Sequence, residues 1–338
     1  MAYYRFCLLA FLLALGACQS PDEPAETAFY YWKSRMAISR AEQAVLDSLG
    51  VRQLYVKYLD VDLEGGQAVP KAGIQWGGEA YKVYEIVPCV FITNRTFLEG
   101  TAPEPLAKQV WRYLQQANAE AGLQPKAYQF DCDWSPSTRS AYFAFLRAIR
   151  QRAGGAQLSA TIRLHQYRYP EQTGVPPVDK GSLMYYNMGN IEDVREANSI
   201  LNNETAADYL DGAAAYELPL DVALPLFSWV LVYRLGELHR IINWTDATAL
   251  DKEPAFEKTA ANRYRVQQNT YFAGHYLNAG DLLRFEAADK AALQQAARQL
   301  QTIKHYSGTT LYYHLDESLL QAYDPALLRR VARTLHGR

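Results

Sequence analysis

Residues 157–166 read Gln-Leu-Ser-Ala-Thr-Ile-Arg-Leu-His-Gln, and Leu158, Ala160, Ile162 and Leu164 alternate strictly with Ser159, Thr161, Arg163 and His165. Successive side chains of a strand point to opposite faces, so this segment has one apolar face and one polar face. An exposed strand of an antiparallel sheet would alternate in the same way. The flanking sequence points elsewhere. Ser137–Ala153 ahead of it is a helical pattern that stops at Gly154. A strand between helices places its apolar face under them and its polar face inside a closed barrel.

The same alternation of short β-rich runs and longer helical patterns extends in both directions. The other strand candidates are Phe29–Ser34, Gln53–Val61, Tyr84–Thr93, Ala127–Trp134, Ser182–Met188, Val222–Trp229 and Thr309–Leu315. Helices are expected over Ser39–Leu49, Pro103–Ala121, Ile191–Leu210 and Ala287–Ile303, the first two ending at Gly50 and Gly122 and the third near Gly212. Glycine just past the last helical turn is a stop signal, because it adopts the left-handed conformation without strain. Glu64–Ala80 is Gly-rich, so the second helix is the weakest of the set and reads equally as a loop. Eight strands separated by helices predict an α/β protein, a (β/α)8 TIM-type barrel over residues 28–338.

One stretch breaks the pattern. Val230–Ala287 contains Arg263–Val266 and Asp281–Glu286 with turns at Gly274 and Gly280, which predicts a small β insertion after the seventh strand, at about 260–287. Such an insertion hangs over the C-terminal face of the barrel, where barrel enzymes keep their sites. Tyr271, His275 and Tyr276 then either reach a ligand or belong to a covering hairpin.

The start of the chain is read as targeting sequence. Arg5 precedes the apolar run Phe6–Leu15, which is shorter than the roughly 20 residues a membrane-spanning helix needs. Leu15-Gly16-Ala17-Cys18 resembles the lipobox of bacterial lipoproteins, which implies a signal peptide over 1–17 and lipidation (palmitate among the acyl chains) of Cys18. Residues 18–27 are polar, Pro-containing and acidic, as a solvated tether should be. Gln19 is not the retention Asp of enterobacterial lipoproteins, and Asp22, Glu23 and Glu26 resemble the acidic tether of surface lipoproteins. The expected location is the outer membrane, with cell-surface exposure as the stronger version and the Cys18 acyl chains in the bilayer.

Composition narrows the partners. With 49% hydrophobic and 21% charged residues, disorder, collagen and coiled coil are excluded. Net charge is −2, from 34 Lys+Arg and 36 Asp+Glu, without a basic run, so no nucleic acid partner is expected. There are 25 Tyr against 12 Phe and 6 Trp. Tyr joins an apolar ring to a polar tip, which suits either wet contact surfaces or a core that finds partners for its hydroxyls. Cys89 and Cys132 sit in apolar runs without a CxxC or a nearby His, which favours buried free thiols over a bridge. Neither a cofactor nor a metal is called for. His165 and His314 meeting Asp131 or Asp133 is the one metal arrangement the strand ends offer, and isolated His residues are more often structural.

In a barrel the strand C-termini converge on one mouth. Here they carry Trp32; Lys57 and Asp60; Asp131, Asp133 and Trp134; Arg163 and His165; Tyr186 and Asn187; Trp229; and Asp316 with Glu317. Rings stack on pyranose faces and acids bind hydroxyls, so this mixture points to a carbohydrate or envelope glycan. Trp32, Trp134, Tyr186 and Trp229 are the candidate platforms, with Lys57, Asp60, Arg163, His165 and Asn187 as further binding residues. Asp131 and Asp133, two apart on a strand, would share one face, and close carboxylates drive one pKa up to leave an acid beside a base. The proton donor is expected from the strand ends, Glu317 or Asp316 after the eighth strand and then Asp60 on the second. Asp131, Asp133 and Glu317 are the candidate catalytic residues. A non-catalytic protein-interaction or scaffold barrel in an envelope complex is the alternative.

The Asp131-Cys132-Asp133 segment on strand four and Met184-Tyr185-Tyr186-Asn187 on strand six resemble the family 18 glycoside hydrolases, whose fourth strand ends D-x-D-x-E and whose sixth carries M-x-Y-D or M-x-Y-N. The resemblance implies a barrel, a glycan ligand and hydrolysis as the activity. It sets Asp131, Asp133, Met184, Tyr186 and Asn187 on motif positions and leaves Ser135 where that family has its catalytic Glu. The run from Gln129 to Arg150 also resembles a group of uncharacterised bacterial barrel proteins.

Overall fold

The structure is a computed structural model that describes residues 26–98, 100–211, 216–243 and 245–337. The expected signal peptide, Cys18 and all of the tether before Glu26 lie outside the described residues. Eight parallel strands close into a ring: Glu26–Tyr31, Gln53–Glu64, Glu85–Ile92, Ala127–Asp131, Gln157–Arg163, Lys180–Met184, Leu220–Pro225 and Tyr306–Tyr313. The first pairs in parallel with both the second and the eighth, which removes any free edge. It begins at Glu26, inside the stretch read as tether. The protein is therefore an α/β barrel of the TIM type.

Local chemistry explains the helices. Ser39 caps Arg40–Leu49 in a capping box with Glu42, and Gly50 ends it in the left-handed conformation at φ 65°. Pro103 sits in the first turn of Pro103–Ala121, where its missing N–H costs nothing, and Gly122 ends that helix at φ 67°. Arg139–Arg152 and Lys290–Leu300 also form within their expected ranges. Glu64–Ala80 is not a helix: strand two turns back at Gly65-Gly66 into an antiparallel strand, Gln67–Lys71, outside the ring. Ile191–Leu210 is helical only over Asn203–Leu210. The preceding residues form a loop held by the inserted sheet, a tertiary contact invisible to periodicity.

The insertion is larger than 260–287. It is a five-stranded antiparallel sheet starting at Ser228, with Ser228–Arg234, Glu237–Asn243, Phe256–Ala260, Arg263–Val266 and Leu282–Ala287, and it has its own small core around Val230, Val232, Tyr264 and Leu283. The expected strand Val222–Trp229 is thus two strands, the seventh of the barrel and the first of the insertion.

The tyrosines went into the core. Tyr30, Tyr31, Tyr55, Tyr142, Tyr185 and Tyr312 are each about 1% exposed or less. Their hydroxyls are satisfied inside: Tyr142 donates to Phe130 O at 3.1 Å and Tyr312 to Leu328 O at 2.7 Å. A buried hydroxyl without a partner is costly, so an acceptor helps to specify these six positions. The hydroxyls of the equally buried Tyr58 and Tyr216, by contrast, have no hydrogen-bond partner among the described residues. Cys89 and Cys132 are buried and unbridged.

Candidate active site at the barrel mouth

A pocket of about 230 Å3 opens at the C-terminal ends of the barrel strands, lined by Trp32, Phe91, Asp131, Asp133, Arg163, Met184, Tyr186, Asn187 and Tyr313. Six barrel strands or their immediate ends contribute. Their convergence follows from closure, since inward-facing positions at one end of a ring have only one another to meet.

Aromatic rings form one wall. Tyr313 stacks on Tyr186 with centroids 5.5 Å apart and 27° between planes, and Trp32 meets Tyr313 edge-on at 5.6 Å. Phe227 packs edge-on against Tyr313, with ring centroids 5.7 Å apart. The Lys57 ammonium lies 5.9 Å from the centroid of the Trp32 ring and 2.9 Å from Asp60 Oδ2. Residues three apart on a regular strand point to opposite faces. Here the pairing of strands two and three shifts register between Lys57 and Leu59, and this bulge brings Lys57 and Asp60 to one side.

Carboxylates and a guanidinium form the other wall. The sequence suggested one shared strand face, but strand four ends at Asp131 and Asp133 stands beyond it in the irregular segment that follows. Both nonetheless line the pocket. Asp131 accepts a hydrogen bond from Thr161 Oγ1 at 2.6 Å. Asp133 Oδ2 takes one from Arg163 Nη1 at 2.7 Å, and Arg163 Nη2 donates to Asn187 O at 3.0 Å. Desolvation, then the charge of Asp133, pushes the Asp131 carboxyl up to about 7, against the opposing pull of Thr161 and Arg163. Asp131 is therefore a group that gains or loses a proton near neutrality. Asn187 adopts φ 53°, a conformation tolerated by Asn, and its Oδ1 is buried with no hydrogen-bond partner among the described residues. Below this level the barrel interior is polar but closed: Gln129 accepts from Tyr30 at 2.8 Å and donates to Ser182 at 2.8 Å.

Several expected site residues stand elsewhere. Trp134 is 1% exposed, stacks on Tyr142 at 5.5 Å and donates its indole N–H to Thr173 O at 2.8 Å, so its ring is core and presents no face to a ligand. Trp229 opens the inserted sheet, packs on Phe227 at 5.3 Å and donates to Glu286 Oε2 at 2.8 Å. His165 left the strand: the chain turns into a helix at Leu164–Arg168, and the imidazole lies in a recess of about 60 Å3 with Arg163, Asn187, Met188 and Tyr209. Burial, then Arg163, lowers its pKa.

Glu317 is exposed at the start of a short helix, its N–H donating to Glu42 Oε1 at 3.2 Å, and is not among the lining residues. Its neighbour Asp316, although desolvation opposes it, is held down to about 2 by Lys33 at 2.9 Å and by Ser318. Neither is placed as a proton donor to the Asp131 side. Ser135 lies in a hydroxyl cluster, 2.9 Å from Ser137 Oγ and 3.2 Å from Thr138 Oγ1. Tyr271 and Tyr276 pair with each other at 5.1 Å on an exposed hairpin outside the lining. Sequence reading missed Tyr313 and Phe91. Strand parity could have found Tyr313: Tyr312 reaches outward to helix Pro325–Leu335, so its neighbour must point in.

No family model matches the sequence, and no curated protein matches it. Solved structures do. The spore cortex-lytic enzyme SleL of Bacillus megaterium is 14% identical, with 93% of this chain and 75% of that one covered at a TM-score of 0.56. Catalytic domain 2 of the Group II chitinase of Ostrinia furnacalis is 11% identical over 94% and 97%, at 0.55. A GH18 chitinase of Cycas revoluta, solved in complex with (GlcNAc)4, is 11% identical over 93% and 100%, at 0.53. At these identities the shared property is the fold, the closed barrel of eight parallel strands.

Proposed function

We propose that the mouth binds a glycan containing N-acetylglucosamine. The observation that carries this reading is the pocket itself, with Trp32, Tyr186 and Tyr313 on one side and Asp131, Asp133 and Arg163 on the other. Apolar ring faces and hydroxyls are both accommodated by such a wall pair, and the structural neighbours include chitinases. Asn187 Oδ1 and the second carboxylate oxygens offer acceptors to donor-rich ligands.

Hydrolysis is the second reading, and the Asp131 carboxyl near 7 favours it, because general acid catalysis needs a proton that is present at neutral pH yet transferable. Asp133 is then the charge that holds Asp131 high. With Ser135 in place of an acid, Asp131 itself is the proton donor of this reading. Titrating chitooligosaccharides against wild type, Trp32→Ala and Asp131→Asn tests both. Wild-type binding lost in Trp32→Ala supports the glycan reading, and no binding on any member of the panel ends it. Product release by wild type but not Asp131→Asn supports hydrolysis, and equal release by both removes it.

The body is further proposed to be held at an outer membrane by acyl chains on Cys18, the sulfur of the Leu15–Cys18 motif. Cys18→Ala should move the protein from the membrane to the soluble fraction. Retention of the variant in the membrane fraction would refute the anchor.

A further inference from the structure

The loop after strand six is gripped by the inserted sheet at most of its steps. Tyr233 OH donates to Ile191 O at 2.6 Å, and Arg284 Nη1 donates to Asp193 O at 2.5 Å. Arg263 donates to Val194 O and, at 2.9 Å, to Glu196 O. The Asn198 amide donates to Ala287 O at 2.8 Å. Glu286 Oε2 then takes both the Ser199 N–H at 3.0 Å and the Ser199 hydroxyl at 2.5 Å. Glu286 is itself 1% exposed and fixed by Arg284 Nε on its other oxygen at 2.6 Å. A solvent-exposed cover would not need a buried ion pair at its base.

From Ser199 the contacts continue into the pocket. Its carbonyl accepts from Met188 N at 3.1 Å and Gly189 N at 3.2 Å, and Ile200 O accepts from Asn187 N at 2.8 Å. The two segments are so close that a Cβ on Gly189 would lie 2.8 Å from Ser199 Cα. Asn187 O holds Arg163, and Arg163 holds Asp133.

We propose that Glu286 and Ser199 are positioning residues, through which the inserted sheet sets the placement of Asn187, Arg163 and Asp133 in the pocket. The proposal rests on the pocket being the ligand site, but its first test needs no ligand. Spatial succession alone does not prove coupling, so the readout must be a property of the far end. Asp131 supplies it. Around that carboxyl stand Asp133, Arg163, Asp60, the phenols of Tyr30, Tyr142, Tyr186 and Tyr313, and the thiols of Cys89 and Cys132. Of these, Arg163 is the cation, and it lowers the Asp131 midpoint only while held in place.

Carboxyl-carbon NMR of the full chain, with Asp131→Asn to identify the resonance, follows the titration of Asp131 in Ser199→Ala and Glu286→Gln. Both should raise the midpoint by about half a pH unit or more as Arg163 loses its anchor. Ser199→Ala leaves the Arg284–Glu286 pair intact, so it reports even where Glu286→Gln folds poorly. Arg234→Gln is the control: it breaks the bidentate contact to Asp281 (2.9 and 2.8 Å) in the same sheet without touching residues 191–199. A wild-type midpoint in Ser199→Ala would overturn the proposal, and so would an equal shift in Arg234→Gln. In a ligand arm, Ser199→Ala should weaken chitooligosaccharide binding about tenfold. If wild type binds none, the glycan reading falls and the Asp131 shift alone decides the positioning claim.

Discussion

Two carboxylates stand inside the same barrel, Asp221 at the start of strand seven and Asp131 at the end of strand four, and their surroundings differ. Asp221 is fully buried and saturated: Lys180 Nζ lies 2.6 Å away, Tyr55 OH donates at 3.2 Å, and Ser307 donates to the other oxygen. Asp131 has Thr161 at 2.6 Å and a like charge beside it, and it opens on a pocket. A carboxylate whose partners come from three strands pins those strands together. One left short of partners, next to its own kind, spends stability to keep a proton within reach. The contrast separates the closed end of the barrel from the end that carries the pocket.

The sharpest way to break that contrast is to remove Asp221. Asp221→Ala would leave the Lys180 ammonium, 14% exposed, without its buried partner. Loss of one member of a buried pair costs about 3–5 kcal/mol. Denaturant unfolding should show a loss of that size, while the Asp131 resonance of the remaining folded protein keeps its midpoint. A loss below about 1 kcal/mol would mean that the lower end is not held by this pair.

Asp131→Asn should act in the opposite direction. The unfolded carboxyl titrates near the ordinary value of about 3.9, and the folded one at about 7. Between these values the folded state binds the extra proton, so its ionisation is a cost to folding that is complete above pH 7 and absent below about pH 4. The amide variant escapes that cost. It should be more stable than wild type at pH 8, by at most about 4 kcal/mol, with the difference shrinking as pH falls. His314, whose imidazole is lowered to about 4 chiefly by burial, weakens both proteins on acidification and cancels in the difference. Paired thermal melts at pH 5 and pH 8 measure it. Equal stability at pH 8 would show that Asp131 is as well satisfied as Asp221.

The sequence made one half of this contrast easier to read than the other. Strict alternation over Leu158–Arg163 and glycine stops at Gly50 and Gly122 are local signals, and the barrel follows from them. The pocket carboxylates and Asn187 sit on a short motif at strand ends and were equally legible. What failed was anything decided by a partner distant in sequence. Trp134 looks like a platform until Tyr142 and Thr173 close over it. The 191–202 loop looks helical until Arg263, Arg284 and Glu286 take its backbone groups. His165 has strand parity, yet the chain turns into a helix at Leu164 before that parity can be used. Asp221 and Lys180 carried no sequence signal at all, since their pairing exists only when the ring closes.

The smallest expected effect is the most discriminating, because it compares like with like. Lys57–Asp60 at the mouth is the same pair of residue types as Lys180–Asp221, at 2.9 Å against 2.6 Å. Its members are 14% and 24% exposed, and Asp60 Oδ1 has no hydrogen-bond partner among the described residues. Asp60 keeps 24% of its side chain exposed where Asp221 keeps none, and an amide there still accepts from Lys57, so Asp60→Asn should cost less than Asp221→Ala. It should act instead on the pocket. The Asp60 charge helps to hold Asp131 up, less than burial or Asp133 does, so its removal should lower the Asp131 midpoint by a few tenths of a pH unit. Thermal melts and the same NMR titration read both quantities on one sample. A midpoint that stays put while stability drops by several kcal/mol would place Asp60 with Asp221 as a structural carboxylate, and the division between the two ends of the barrel would not hold at strand two.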